Sequence, residues 1–178
     1  MHVNAKKIAI AGLLAAISVV LVILSSVIEM SSLFFIIAAS YCVGIVIREW
    51  GVLFGIGFWI ASTLVQVFVA PNKLYCMTFA MISFYLLASE FLWEKIAEHK
   101  TMKYRKTMFW IGRYLIFNSM YLLILILFPK LLFLQEMNSA FMTGVFLAGQ
   151  VGLFVYEQAY QYFQSRIWGR VRIKLMNF

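Results

Sequence analysis

Residues 6–28 read Lys6-Lys7-Ile8-Ala9-Ile10-Ala11-Gly12-Leu13-Leu14-Ala15-Ala16-Ile17-Ser18-Val19-Val20-Leu21-Val22-Ile23-Leu24-Ser25-Ser26-Val27-Ile28. Two cations precede an uncharged run of 21 residues, Ile8 to Ile28. The hydrocarbon core of a bilayer is crossed by about 20 such residues, whereas the apolar region of a secretory leader has roughly 7–15. Further runs of the same kind follow. The stretch therefore reads as a retained first transmembrane helix, and it decides the class of the whole chain.

Five more apolar runs lie downstream, at about 33–48, 52–70, 74–93, 108–128 and 139–163. Arg48-Glu49-Trp50-Gly51 separates the second from the third, Pro71-Asn72-Lys73 ends the third, and Pro129-Lys130 closes the fifth. Proline with asparagine is turn punctuation. Hydrophobic residues make up 64% of the 178 and charged residues only 12%, against about 45–50% and about 25% in soluble domains. Mean hydropathy is +0.91. The expectation is an all-α integral membrane protein, one six-span transmembrane domain over residues 1–178, with no room for a large soluble catalytic unit.

The charge pattern gives an orientation. The formal net charge is +8, there is no Asp, and the acids are seven Glu. Twelve of the fifteen Lys and Arg fall at Lys6, Lys7, Arg48, Lys95, Lys100, Lys103, Arg105, Lys106, Arg166, Arg170, Arg172 and Lys174. All of these lie on one side if both termini are cytoplasmic, and only Lys73 and Lys130 lie in the opposite loops. Cytoplasmic loops carry the excess of Lys and Arg, so the expected topology is N-in and C-in, in the cell membrane of a prokaryote. Cations interleaved with apolar spans point to a lipid bilayer and not to nucleic acid.

Reactive constellations are missing. The two histidines are His2 and His99, one near the N-terminus and one in a charged connection, so neither forms an evident nucleophile–base pair with Cys42 or Cys76. No HExxH motif, Walker sequence or metal-type cysteine spacing occurs. Glu90, Glu94 and Glu98 recur every four residues beside a basic stretch, the pattern of an ion-paired helix end. The chain is not expected to be an enzyme, to hold a metal or to need a cofactor.

Two patterns remain. In the first span, Ala5, Ala9, Gly12 and Ala16 recur at helical spacing, and Ala11 and Ala15 form an Ala-x-x-x-Ala pair beside them. Small residues let helices approach closely in lipid, so Ala11 and Ala15 are candidates for docking another helix, of this chain or of a partner. The later spans carry polar stripes: Tyr75, Thr78, Tyr85 and Ser89 in the fourth, Tyr114, Asn118 and Tyr121 in the fifth, Thr143, Gln150 and Glu157 in the sixth. Intramembrane polar groups are costly and turn inward. They serve as glue between helices or line a ligand pocket. Tyr75, Thr78, Asn118, Tyr121, Thr143 and Gln150 are the candidate substrate contacts, with Glu29, Asn72, Lys73 and Glu136 as a lid in the outer loops.

Taken together, the opening Lys6-Lys7-Ile8-Ala9-Ile10-Ala11-Gly12-Leu13-Leu14-Ala15-Ala16, the six spans, the inward termini and the size resemble the substrate-binding S component of an energy-coupling factor (ECF) transporter. The resemblance covers the whole chain in layout and the first span in motif. It implies a receptor for a vitamin or other micronutrient that works with a transmembrane T component and two cytoplasmic ATPases. The alanine face of the first helix would meet the T component, and the small-molecule substrate would bind under the outer loops. The outer loops match no particular vitamin pocket. A six-span scaffold of the cell-shape machinery, MreD-like, has the same size and topology and needs no pocket.

Overall fold

The computed structural model describes residues 5–98, 104–127 and 139–176. Among these residues every regular element is a helix. The elements are α1 (Ala5–Val27), a 3-10 turn (Glu29–Ser31), α2 (Ser32–Trp50), α3 (Val52–Val69), α4 (Lys73–Glu98), α5 (Arg105–Leu127) and α6 (Ser139–Tyr162). A π-helical segment (Phe163–Trp168) and α7 (Gly169–Met176) complete the chain. Apolar side chains around a helix suit lipid, because a helix satisfies its own backbone without water. Among the described residues, four helices are long and apolar enough to cross a membrane: Ala5–Val27, Ser32–Trp50, Val52–Val69 and Lys73–Ala97. With α5 and α6, at 23 and 24 residues, six helices have spanning length.

The expected spans and the observed helices agree to within a few residues at most ends. Two ends differ instructively. The fourth helix does not stop at Trp93 but continues to Glu98, because Glu94, Lys95 and Glu98 are good helix formers whose charges need only leave the hydrocarbon. The last span does not stop near Phe163. Helix continues through the π segment and α7 to Met176, since no proline or turn sequence interrupts it.

The chain is organised as two compact units, Met1–Arg113 and Tyr114–Phe178, and the division falls inside α5. In the first unit α2 packs against α1, α3 and α4. Nine consecutive positions of α2, Ala39 to Ile47, are buried, so the helix is enclosed on all sides. α1 turns Leu14, Ser18, Val22 and Ser25 inward, and α3 turns Val52, Gly55, Phe58, Ser62 and Gln66 inward. Each set follows helical spacing. The opposite faces expose large apolar side chains such as Leu53, Leu64 and Phe68, as lipid-facing surfaces do.

Three of the six buried serines described in this unit are satisfied by their own helix. Ser18, Ser25 and Ser40 hydroxyls donate to the carbonyls of Ala15, Val22 and Ile37 at 2.8, 2.7 and 2.7 Å. That back-bonding lets a polar residue sit in an apolar interior.

A single residue, Gly51, joins α2 to α3. Its φ of 88° lies where only glycine is unstrained. Its N–H donates to Ile47 O at 2.8 Å, and its carbonyl accepts from Gly55 N–H at 3.1 Å. The two helices leave this point so close together that a Cβ at Gly55 would collide with the Ile47 side chain, with Ile47 Cα only 3.4 Å away. Just before the turn, Arg48 reaches α4: Nη2 lies 2.6 Å from Glu90 Oε1, and Nε donates to the same oxygen at 2.8 Å. Arg48 also stands in the last turn of α2, where a cation complements the helix dipole. In the first half of α5, the buried Arg113 guanidinium stacks 4.0 Å from the Phe109 ring centre.

Candidate functional site

The predicted substrate contacts fall into both units. Asn118, Tyr121, Thr143 and Gln150 belong to the second, and Tyr75 and Thr78 to the first. Within the second unit the two amides meet. Gln150 Nε2 donates to Asn118 Oδ1 at 2.6 Å, joining α6 to α5. Each amide thus has the partner that a polar group in hydrocarbon demands, and each retains hydrogen-bonding capacity, since an amide carries two donors and an acceptor with two lone pairs.

Tyr121 stands one turn beyond Asn118. Its ring stacks on Phe117, with centroids 5.3 Å apart and planes at 15°, and lies 6.2 Å from Phe146. The close approach is possible because residue 149 is glycine. A Cβ there would be 3.0 Å from Tyr121 Cε1 and Cζ and 3.1 Å from its hydroxyl. Aromatic faces and amides therefore occupy one seam, with Asn118, Tyr121 and Gln150 half-buried. Thr143 lies two turns before Gln150 on α6 and is exposed.

In the first unit, Tyr75 and Thr78 sit half-buried near the start of α4. The Thr78 hydroxyl donates to Leu74 O at 2.9 Å, which spends its proton inside its own helix. The residues expected as a lid have structural work here. Asn72 Oδ1 accepts from Leu74 N–H at 3.0 Å, capping α4. Lys73 Nζ donates to Ala70 O at 3.0 Å and also to Val67 O. It covers carbonyls that α3 leaves open at its C-terminal end. For Glu29 the structure describes the backbone alone, within the turn between α1 and α2, and Glu136 lies outside the described residues.

The first unit also contains a polar centre absent from the sequence-based candidates. Gln66 on α3 is 0% exposed. Its Nε2 donates to Ser18 Oγ on α1 at 3.5 Å, and its backbone carbonyl accepts from Cys76 Sγ on α4 at 3.4 Å. Three helices thus converge on one residue. The Gln66 Oε1 is buried without a hydrogen-bond partner among the described residues, as are the hydroxyls of Ser62 and Thr63 one turn earlier. An unpaired buried acceptor costs on the order of 1–3 kcal/mol. The signal was present in the sequence: Ser62, Thr63 and Gln66 lie within one turn of an otherwise apolar span.

On α1 the proposed docking residues Ala11 and Ala15 are half-buried. Their neighbours Ala5, Ala9, Gly12 and Ala16 are exposed, on the side away from Leu14, Ser18, Val22 and Ser25. A Cβ added at Gly12 would meet nothing within 4 Å. The small-residue stripe is therefore not the face with which α1 packs inside its own unit.

These groups are neutral donors, acceptors and aromatic faces. They suit reversible binding of a small molecule or the joining of helices. No family model, no curated protein and no solved structure matches the chain.

Proposed function

We propose that the chain is a membrane receptor for a small nutrient, acting as the substrate-binding subunit of an ECF-type transporter. In this reading it lies in a prokaryotic cell membrane with both termini cytoplasmic. A transmembrane T component and two ATPases supply the energy.

The observation that carries the reading is the open small-residue face of α1. A helix that used Ala5, Ala9, Gly12 and Ala16 for internal packing would bury them, and these four are exposed. Lipid tails alone call for no such smoothness, because bulky Leu and Ile satisfy lipid equally well. A partner helix does call for it. The neutral polar groups on α3 to α6 support the receptor half of the reading, and the placement of twelve of fifteen cations supports the orientation.

The scaffold reading draws on the Asn118–Gln150 bond, since amides that satisfy each other need no ligand. Two experiments separate the readings. Mass spectrometry of the denatured, purified protein tests for a released small molecule. Replacing Ala9, Gly12 or Ala16 by Leu tests the face, because these positions are exposed, whereas Ala11 and Ala15 are half-buried beside the packed side of α1. A receptor with a docking face keeps its fold and its bound molecule but loses its transmembrane partner and uptake together. Loss of the fold in these variants, or no released molecule in any preparation, defeats the proposal.

A further inference from the structure

The last helix is longer than a membrane is thick. α6, the π segment and α7 have 24, 6 and 8 residues and run on without a break. At about 1.5 Å per residue the rod is roughly 57 Å long. A bilayer measures about 30 Å across its hydrocarbon and about 40–45 Å with both headgroup layers. If α6 fills the hydrocarbon, the residues from Phe163 onward stand at headgroup level and beyond.

That segment has a single sign of charge. Arg166, Arg170, Arg172 and Lys174 lie in it, and the chain has no acidic residue after Glu157, which is fully buried. Arg166 and Arg170 are one turn apart and both exposed. Beside them Ile167 and Val171, also one turn apart, are 48% and 40% exposed, and Trp168 is half-buried. Cations flanking exposed apolar residues and an indole form the surface that a helix presents to a membrane interface. Arginine offers a planar fork of donors matched to phosphate oxygens.

From this placement we infer that residues 163–176 form a binding surface for the phosphodiester headgroups of anionic phospholipids, with Arg166 and Arg170 as its principal contacts. The inference needs only that α6 crosses a membrane, and it stands apart from the transport reading. Each basic residue near an anionic leaflet adds attraction that salt screens. The surface would hold anionic lipid against the end of the last span.

The test uses the purified full-length protein in mixed micelles, titrated with dioleoylphosphatidylglycerol or dioleoylphosphatidylcholine and read by native mass spectrometry. The expected result is a preference of tenfold or more for the anionic lipid, weakened about tenfold by R166Q/R170Q and by 0.5 M NaCl. R166K/R170K, which keeps the charge and loses the planar fork, should retain only part of the affinity. Equal binding of the two lipids overturns the proposal. So does an unchanged affinity in R166Q/R170Q with helix content intact. Displacement by millimolar inorganic phosphate at constant ionic strength also overturns it, in favour of a soluble anion. A short RNA that outcompetes the lipid would assign the surface to nucleic acid instead.

Discussion

Gln150 and Asn118, 32 positions apart in the chain, share a hydrogen bond of 2.6 Å between α6 and α5. Two residues that each looked like a ligand contact are thus first of all contacts for each other. The bond fixes the rotation of one helix against the other, and it places Tyr121 over Gly149 one turn away. A ligand at this seam would compete with, or add to, a bond that already exists.

Removing one amide should therefore hurt more than removing both. Asn118→Leu or Gln150→Leu strands the remaining amide, at a cost of about 1–3 kcal/mol. The double variant should recover part of that loss, with a coupling on the order of 0.6 kcal/mol, the average for such pairs in membranes. Unfolding in SDS measures it. Additive losses would mean that the bond contributes nothing to stability.

Gln66→Leu should leave stability unchanged or raise it by about 1 kcal/mol, because it deletes a buried acceptor without a protein partner and keeps the volume. If the chain is the proposed receptor, uptake distinguishes a structural residue from one kept for binding. A variant that is at least as stable as wild type and no longer takes up substrate would place Gln66 on the ligand's path. A marked loss of stability would show that Oε1 has a partner, such as ordered water.

Asn72→Ala should cost about 1 kcal/mol through the lost α4 cap, and Asn72→Asp should restore it. Thermal unfolding reads both. If Asn72 serves only as a cap, ligand affinity stays the same in both folded variants. A selective loss of affinity in Asn72→Asp would return the residue to the lid.

Gly55→Ala should destabilise by about 1–3 kcal/mol, the usual cost of overpacking, because its Cβ runs into Ile47. Gly57→Ala is the control. It lies on the same helix with nothing within 4 Å of an added Cβ, and alanine improves helix propensity by nearly 1 kcal/mol. Equal effects of the two would contradict the close α2–α3 approach.

The native thiols should resist aqueous maleimide in the folded protein, since Cys42 and Cys76 are both buried. Position in the sequence alone favours Cys76, which starts α4 near a loop. Its burial among Gln66, Asn72 and α3 removes that advantage. Both should label in SDS. For orientation, Lys73→Cys should label from outside intact cells, and Lys103→Cys and Arg172→Cys only after the membrane is opened. External labelling at Lys103→Cys would reverse the topology.

The helices were legible because each is written as an uninterrupted apolar run with a stop of Gly, Pro or charge, and such local signals survive without tertiary knowledge. Register between helices was not legible. Asn118 and Gln150 were both visible as costly groups, but that they face one another depends on helix rotation, which composition does not encode. Asn72 and Lys73 were visible as a turn, and their capping bonds require only local geometry, so the structural role was within reach. Gln66 lies in a span with no tyrosine-rich stripe of the kind that marks the later spans. Its weight comes from burial, which neighbouring helices impose.

The one-residue joint at Gly51 bears on how the protein is made. With a single residue between them, α2 and α3 have no loop that could let one move far from the other, so in a bilayer they would settle as one hairpin. The same joint offers no segment for a protease to cut and no place for an inserted tag. Fragments divided there should fail to assemble, whereas a break in the charged stretch between α4 and α5 leaves every helix whole.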